Sequence, residues 1–378
     1  MKTIRIKLNN TIVLLLSLSF CYSACSISDV SQNIETTIHG QIHEFHDSVE
    51  EFENEQKSSN PHQNESERNA YLSITGSYVD ENGVLSESYC IYDLESGLLD
   101  EYYHVPATSS YPCCVCDMRN QIVYYSAAVP EEIEGHAFMS ENVYAYNIDD
   151  GVIKQITDYG SFMNRMILTE ERLYFCGGRR SMIGVEVGYI DLQTGEVVIL
   201  DCYKDIKGLN VRDISYNYNL DELTLSWYSE TEQNELNQIY YQEIEEIGNS
   251  ALHQLAPSTL DQIDMKTGDI RTLAIFNDCR PNLLTVSQDG KKILLYVEES
   301  DDPIRLYEDG KINVLHYDGT ALAALSQDGE SIYFVRQLKK TLNGVPCCVI
   351  MRYDFASGEV EEMTEVPFYV NNMVLILQ

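Results

Sequence analysis

The sequence predicts an all-β fold, a six-bladed β-propeller closed by its C-terminal strand and preceded by a signal peptide and a flexible tether. Three observations predict it. From Tyr71 onward, short runs rich in Val, Ile, Leu and Tyr are separated by Gly, Asp and Asn turns, the pattern of consecutive short strands. A hairpin phrase recurs six times: "YDLESG" (Tyr92 to Gly97), "YNIDDG" (Tyr146 to Gly151), "IDLQTG" (Ile190 to Gly195), "IDMKTG" (Ile263 to Gly268), "LYEDG" (Leu306 to Gly310) and "YDFASG" (Tyr353 to Gly358). Its glycines step by 54, 44, 73, 42 and 48 residues, a spacing that suits four short strands per unit. Finally, the chain stops on the apolar stretch "YVNNMVLILQ" (Tyr369 to Gln378), which needs a partner strand.

The elements follow in chain order. Residues 1–24 form the expected signal peptide: Lys2, Arg5 and Lys7 are followed by the apolar run Ile12 to Phe20 and by small residues Ser23 and Ala24. "YSAC" (Tyr22 to Cys25) resembles a bacterial lipobox, with Tyr22 where Leu is usual, and makes Cys25 the candidate lipidation site; simple cleavage and release is the alternative. Residues 25–68 read as a polar tether, rich in Ser, Asn, Gln and Glu and too poor in bulky apolar residues to offset the entropy of ordering. Within it Ile38, Ile42, Phe45, Val49 and Phe52 recur at helical steps, and the spacing places His39, His43 and His46 on one face. Imidazoles so placed are weak candidates for a metal, but three without a fourth ligand are ordinarily a solvated face, so no metal and no cofactor is expected.

Residues 69–378 form the propeller. Units two to six begin near Cys113, Phe162, Leu209, Pro281 and Ala321, each with inner, second, third and outer strands. Unit one starts instead on "YLSITGSYV" (Tyr71 to Val79), which matches second strands such as "QIVYYSAAV" (Gln121 to Val129), so its inner strand is missing. The C-terminus matches the inner strand "FMNRMILTEE" (Phe162 to Glu171), with Asn371 over Asn164, Met373 over Met166 and Leu375 over Leu168. The last strand is therefore expected to complete unit one.

Two stretches, "LTVSQDGKKILLYV" (Leu284 to Val297) and "AALSQDGESIYFV" (Ala323 to Val335), resemble the "SPDGxxIxF" hairpin of TolB-type propeller repeats, with Gln288 and Gln327 where that family has Pro. "RMILTEERLYFCG" (Arg165 to Gly177) and "DISYNYNLDELTLSW" (Asp213 to Trp227) look like degenerate copies. The resemblance covers about residues 69–378 and implies the fold. TolB works with partners in the cell envelope, which is the class of role the resemblance implies; TolB's N-terminal domain has no evident counterpart here.

Composition limits the partners. With 25 Lys plus Arg against 60 Asp plus Glu the formal charge is −35, and loss of a leader with three cations and no acid makes it −38. Nucleic acid is excluded as a partner, since phosphate binding depends on cationic neutralisation, and membrane contact is expected through the lipid anchor only. The chain is read as a monomer, located outside the cytoplasm on the membrane or, without the anchor, secreted. Nine cysteines remain beyond the leader region, an odd number, mostly in apolar runs; they read as core thiols rather than disulfides.

No nucleophile elbow, P-loop, H-E-x-x-H or dinucleotide fingerprint occurs, and no catalytic residue is assigned. The expected function is a binding or scaffold module for an envelope protein, peptide or glycan. The alternative is a propeller hydrolase or lyase acting on a saccharide or peptide, with His136 or His253 carrying protons. Candidate ligand-binding residues lie on connectors between second and third strands: Tyr240, Tyr241 and His253 in a long insertion after Ser229, His136 beside Glu131, Glu132 and Glu134, and the pair Arg179 and Arg180. Other polar connectors carry Glu298, Asp301 and Asp302 in unit five and Lys339 and Lys340 in unit six. The insertion is the strongest of these, because long insertions in compact folds tend to carry function.

Overall fold

The computed structural model describes residues 69–109, 112–133, 136–158, 160–179, 184–247, 252–298, 303–315 and 322–378. Residues 1–68, to which the sequence reading assigns a leader and tether, with Cys25, His39, His43 and His46, lie outside them, as do Arg180, Glu134, Asp301 and Asp302.

Six four-stranded antiparallel sheets form the blades. Blade 1 carries β1 (Ala70–Val79), β2 (Leu85–Asp93) and β3 (Leu99–Pro106); blade 2 carries β4 (Cys114–Asp117), β5 (Ile122–Ile133), β6 (His136–Asn147) and β7 (Ile153–Gln155). Blade 3 carries β8 (Gly160–Leu168), β9 (Arg172–Arg179), β10 (Glu186–Asp191) and β11 (Val197–Ile199). Blade 4 consists of β12 (Leu209–Asn217), β13 (Glu222–Ser229), β14 (Ser258–Asp264) and β15 (Ile270–Phe276), with helix α1 (Glu230–Ile247) between β13 and β14. Blade 5 comprises β16 (Pro281–Val286), β17 (Lys292–Val297), β18 (Ile304–Glu308) and β19 (Lys311–Val314). Blade 6 comprises β20 (Ala323–Leu325), β21 (Ser331–Leu342), β22 (Val345–Asp354) and β23 (Val360–Val366), and the last strand is β24 (Tyr369–Leu377). β24 pairs with β1 from Ala70↔Leu377 to Ser77↔Tyr369, so blade 1 takes its inner strand from the C-terminus, as expected.

The repeated hairpin phrase has a local cause. In five blades its Asp or Asn accepts backbone N–H groups two and three residues on: Asp93 Oδ1 from Glu95 (2.8 Å) and Ser96 (3.2 Å), and Asn147 Oδ1 from Asp149 (2.9 Å) and Asp150 (3.3 Å). The closing glycine then turns the chain at positive φ, +71° at Gly97 and +77° at Gly268. Blade 5 has the shorter "LYEDG" because there Asp309 and Gly310 both take positive φ, a two-residue hairpin joining Glu308 to Lys311.

Four of the six inner strands share a bulge. Asn164 in β8, Arg212 in β12, Leu284 in β16 and Asn371 in β24 are each the extra residue where the ladder with the second strand shifts. Asn371 and Asn164 thus occupy one structural position, which is the alignment the sequence implies. Gly76 faces the bulge in β24, and a Cβ there would lie 2.1 Å from the Phe368 ring, so only glycine admits that aromatic beneath the closing strand. The residues that follow the bulges meet at the axis. Arg165 donates to Asp213 through Nε (2.8 Å) and Nη2 (3.0 Å), and through Nη1 to Asn372 Oδ1 (2.7 Å) and Met373 O (3.3 Å). Burial opposes the guanidinium's charge, but the Asp213 carboxylate more than offsets it and holds the pKa of Arg165 above its usual value. A cavity of about 20 Å³ beside Arg165, Ser215, Thr285 and Val374 has room for about one water, so the middle of the ring is packed.

Apolar side chains fill the spaces between blades, as with Leu72, Ile74, Cys90, Ile350, Met373 and Leu375. Seven of the nine described cysteines are buried and all nine are free thiols, in agreement with the core reading; Cys202 is exposed and Cys279 intermediate. Two connectors differ from the polar loops expected. Glu131, Glu132 and Ile133 belong to a ladder that continues to Ile133↔His136, and Lys339 and Lys340 lie within β21, whose partner strand starts across the Asn343-Gly344 turn. At Glu131 to Ile133 strand pairing satisfies the backbone locally, while Lys339 and Lys340 sit where the β21–β22 register shifts between Gln337 and Thr341.

Candidate functional site

The connectors from second to third strands and the links between blades share one face of the ring. On it, blade 4 carries the largest addition. β13 and β14 are already paired at Tyr228↔Ser258, and the chain leaves between these partners to form α1 before returning. Ser229 caps the helix: its Oγ accepts from Glu232 N (3.1 Å) and donates to Lys207 O (2.9 Å), while Glu230 N donates to Gly208 O (2.7 Å). Gly208 has φ +60°, and a Cβ on it would sit 2.5 Å from Thr231 Oγ1, so glycine is what lets the β11–β12 link approach the helix start.

Gln233 pins the helix to the propeller. Its Nε2 donates to Asn237 Oδ1 (2.7 Å) and Gln254 O (3.2 Å), and its Oε1 accepts from Ala256 N (2.8 Å) and Arg280 Nη2. His253 Nε2 lies 2.8 Å from Asn237 Oδ1, and the His253 ring packs on Tyr240 with centroids 4.9 Å apart. Tyr240 therefore contacts both Tyr241 and His253. Beyond Gln233 the helix is largely uncovered: Ile239 and Tyr241 are 52% and 64% exposed, and Leu252 after it 76%. The helix has six glutamates and no Lys or Arg.

The other candidates are elsewhere. Arg179 ends β9 and makes a bidentate pair with Glu186 at 2.6 and 2.7 Å. His136 opens β6 on blade 2, and its side chain falls outside the description.

Further residues, not singled out, gather where blades 4 and 5 meet on this face. Arg280, just before β16, stacks its guanidinium over the Tyr228 ring, 3.9 Å from the centroid. Arg212, the bulge residue of β12, donates through Nε to Asn282 Oδ1 (2.7 Å) and lies 3.3 Å from Glu298 through Nη2. Tyr228 Oη donates to Glu230 Oε2 (2.6 Å), which also accepts from Asn210 Nδ2 (2.9 Å). Burial, reinforced by Glu230, pushes the Tyr228 phenol up to about 12. Burial and then repulsion from Arg212 push the Arg280 guanidinium down. Arg212 and Arg280 are in different repeats, so no motif joins them; the available signal was the scarcity of cations in this chain.

Beneath the same face, the link from blade 1 to blade 2 covers two glutamates. Glu87 Oε2 accepts from Tyr89 Oη (2.8 Å) and its Oε1 from Thr108 N (3.2 Å) and Ser109 N (3.4 Å), while Ser109 Oγ donates to Glu141 Oε1 (2.9 Å). Both acids precede a turn glycine by ten positions, Gly97 and Gly151, and so fall at equivalent places in the repeat. Burial raises each to about 7. At 0% and 5% exposure they are structural titrating groups rather than a site open to a ligand.

No family model and no curated protein matches the chain. Among solved structures it is similar to one described as a nidogen/laminin complex, at 12% identity and TM-score 0.49, covering 82% of this chain and 98% of that one. TolB from Acinetobacter baumannii matches at 15% identity and TM-score 0.43, over 78% and 69% of the two chains. A periplasmic gluconolactonase from Pseudomonas aeruginosa matches at 12% and 0.44, over 81% and 99%.

Proposed function

We propose that this chain is an exported binding module that captures a protein or peptide on the connector face of its propeller, at helix α1 and where blades 4 and 5 meet. The observation that carries the reading is the helix itself. The insertion leaves and rejoins a hairpin whose strands already meet at Tyr228↔Ser258, so the fold does not require it, yet it is capped, pinned by Gln233 and left with Ile239 and Tyr241 in solvent. His253, spent on Asn237 and Tyr240, serves to order the insertion, which favours binding over proton transfer. The leader and Cys25 place the module outside the cytoplasm and anchor it by lipid in this proposal.

The test replaces residues 230–256 by a short Gly-Ser turn and compares cross-linked partners recovered from native envelopes. Wild-type protein is expected to recover a defined partner that the replaced protein, melting at the same temperature, does not. Equal recovery by both proteins overturns the assignment of the surface. For the anchor, metabolic fatty-acid labelling that survives Cys25→Ala overturns lipidation at that residue.

A further inference from the structure

Arg280 is an unusual cation for this chain. Sixty acids surround 25 Lys and Arg, yet Arg280 makes no ion pair among the described residues. Of the five guanidinium N–H groups, one is used, on Gln233 Oε1. The Nε is buried without a hydrogen-bond partner, and the Nη1 has none among the described residues. A second guanidinium, Arg212, is close enough to repel it, and that one has a single exposed carboxylate, Glu298, at 3.3 Å. Glu230 and Glu298 attract Arg280 without forming an ion pair with it, and its unmet Nη1 is left for an incoming anion to engage.

We propose that Arg280, with Arg212 beside it, receives one carboxylate of a peptide ligand whose neutral or cationic remainder lies along α1. The inference rests on the binding reading above and names the ligand's chemistry. The free end of the Arg280 fork, Nη1 and the second hydrogen of Nη2, matches a carboxylate in bidentate geometry. The surroundings limit the charge of the rest. Glu230, Glu298 and the acids of α1 repel a polyanion, so a polyuronate or a phosphate dianion is disfavoured, whereas a lone carboxylate followed by Lys or Arg is complementary. The exposed Ile239, Tyr241 and Ile244 add apolar contact surface along the helix for the remainder of a peptide.

The test measures binding of three synthetic octapeptide pools of mixed Leu, Lys, Ser and Gly to the full chain: one with free C-terminal carboxylates, one amidated, and one amidated with a terminal Asp. A preference of about tenfold or more for either carboxylate pool over the amidated pool, lost in Arg280→Gln and partly kept in Arg280→Lys, supports the receptor, and the better of the two identifies the carboxylate as main-chain or side-chain. Arg280→Met, which gives up the Gln233 hydrogen bond and the charged stack on Tyr228, is expected to keep a cooperative melt, and that separates lost binding from lost folding. Equal binding of all three pools overturns the carboxylate receptor while leaving the α1 surface standing. Absence of binding by every pool, with envelope capture through α1 intact, overturns the inference alone; absence of both overturns the binding reading too. Tighter binding of a galacturonate oligomer than of any pool assigns the pair to an acidic glycan and overturns the peptide.

Discussion

The closing strand β24 and the helix α1 are both additions to a four-strand repeat, and they relate to the fold in opposite ways. β24 buries Val370, Met373, Val374, Leu375, Ile376 and Leu377, pairs with β1 and is held at the axis by Arg165. Among the described side chains of α1, only Gln233 is buried, and it is polar. One addition supplies core and no free surface; the other supplies surface and almost no core. Stability and recognition are thus assigned to different insertions of one chain.

The sharpest way to break that contrast is to remove 371–378. The five buried apolar side chains removed, Met373 to Leu377, contribute on the order of 10 kcal/mol, comparable with the whole stability of a domain, so the truncated chain is expected to lose its cooperative melt. A normal melt would mean that blade 1 does not depend on its borrowed strand. Next comes Arg165→Ala, which leaves Asp213 buried without its partner at a cost of about 3–5 kcal/mol; urea unfolding of Arg165→Ala, Asp213→Ala and the double variant should show strong coupling.

The buried glutamates give a smaller, pH-dependent effect. Their pKa values are higher folded than unfolded, so the folded state holds more protons between about 4.5 and 7. Stability from this source is complete below the unfolded value and is lost as pH rises through about 7. The hairpin aspartates run the other way: backbone hydrogen bonds lower Asp191, Asp264 and Asp354, and that stabilisation fades only in stronger acid. The melting temperature is therefore expected to be higher near about pH 5.5 than near about pH 8, with Glu87→Gln and Glu141→Gln flattening the slope. The smallest effect belongs to α1, whose replacement should change unfolding free energy by no more than about 1 kcal/mol, within the range of surface changes.

Much of the ring was legible in the chain because its determinants are local. An Asp or Asn four residues before a glycine makes the same turn wherever it occurs, and apolar alternation makes the same strand. The match of Asn371 to Asn164 was readable too, since a bulge recurs where the same residues recur. Tyr240, Tyr241 and His253 were found as a group because one segment carries them. The long β5–β6 and β21–β22 ribbons were missed, because polar residues suit an exposed ribbon as well as a loop, and register with the neighbour decides between them.

By itself, then, the sequence determined the number of blades, their boundaries and the strand that closes them, because turns and alternating burial depend on neighbours in the chain. Only the tertiary structure decided that Arg165 ties blades 3 and 4 to the C-terminal strand, that Ser109 bridges Glu87 and Glu141, and that Arg280 and Arg212 come near one another. Those groups interact through space across different repeats, and electrostatics and burial depend on that distance, which no local pattern encodes.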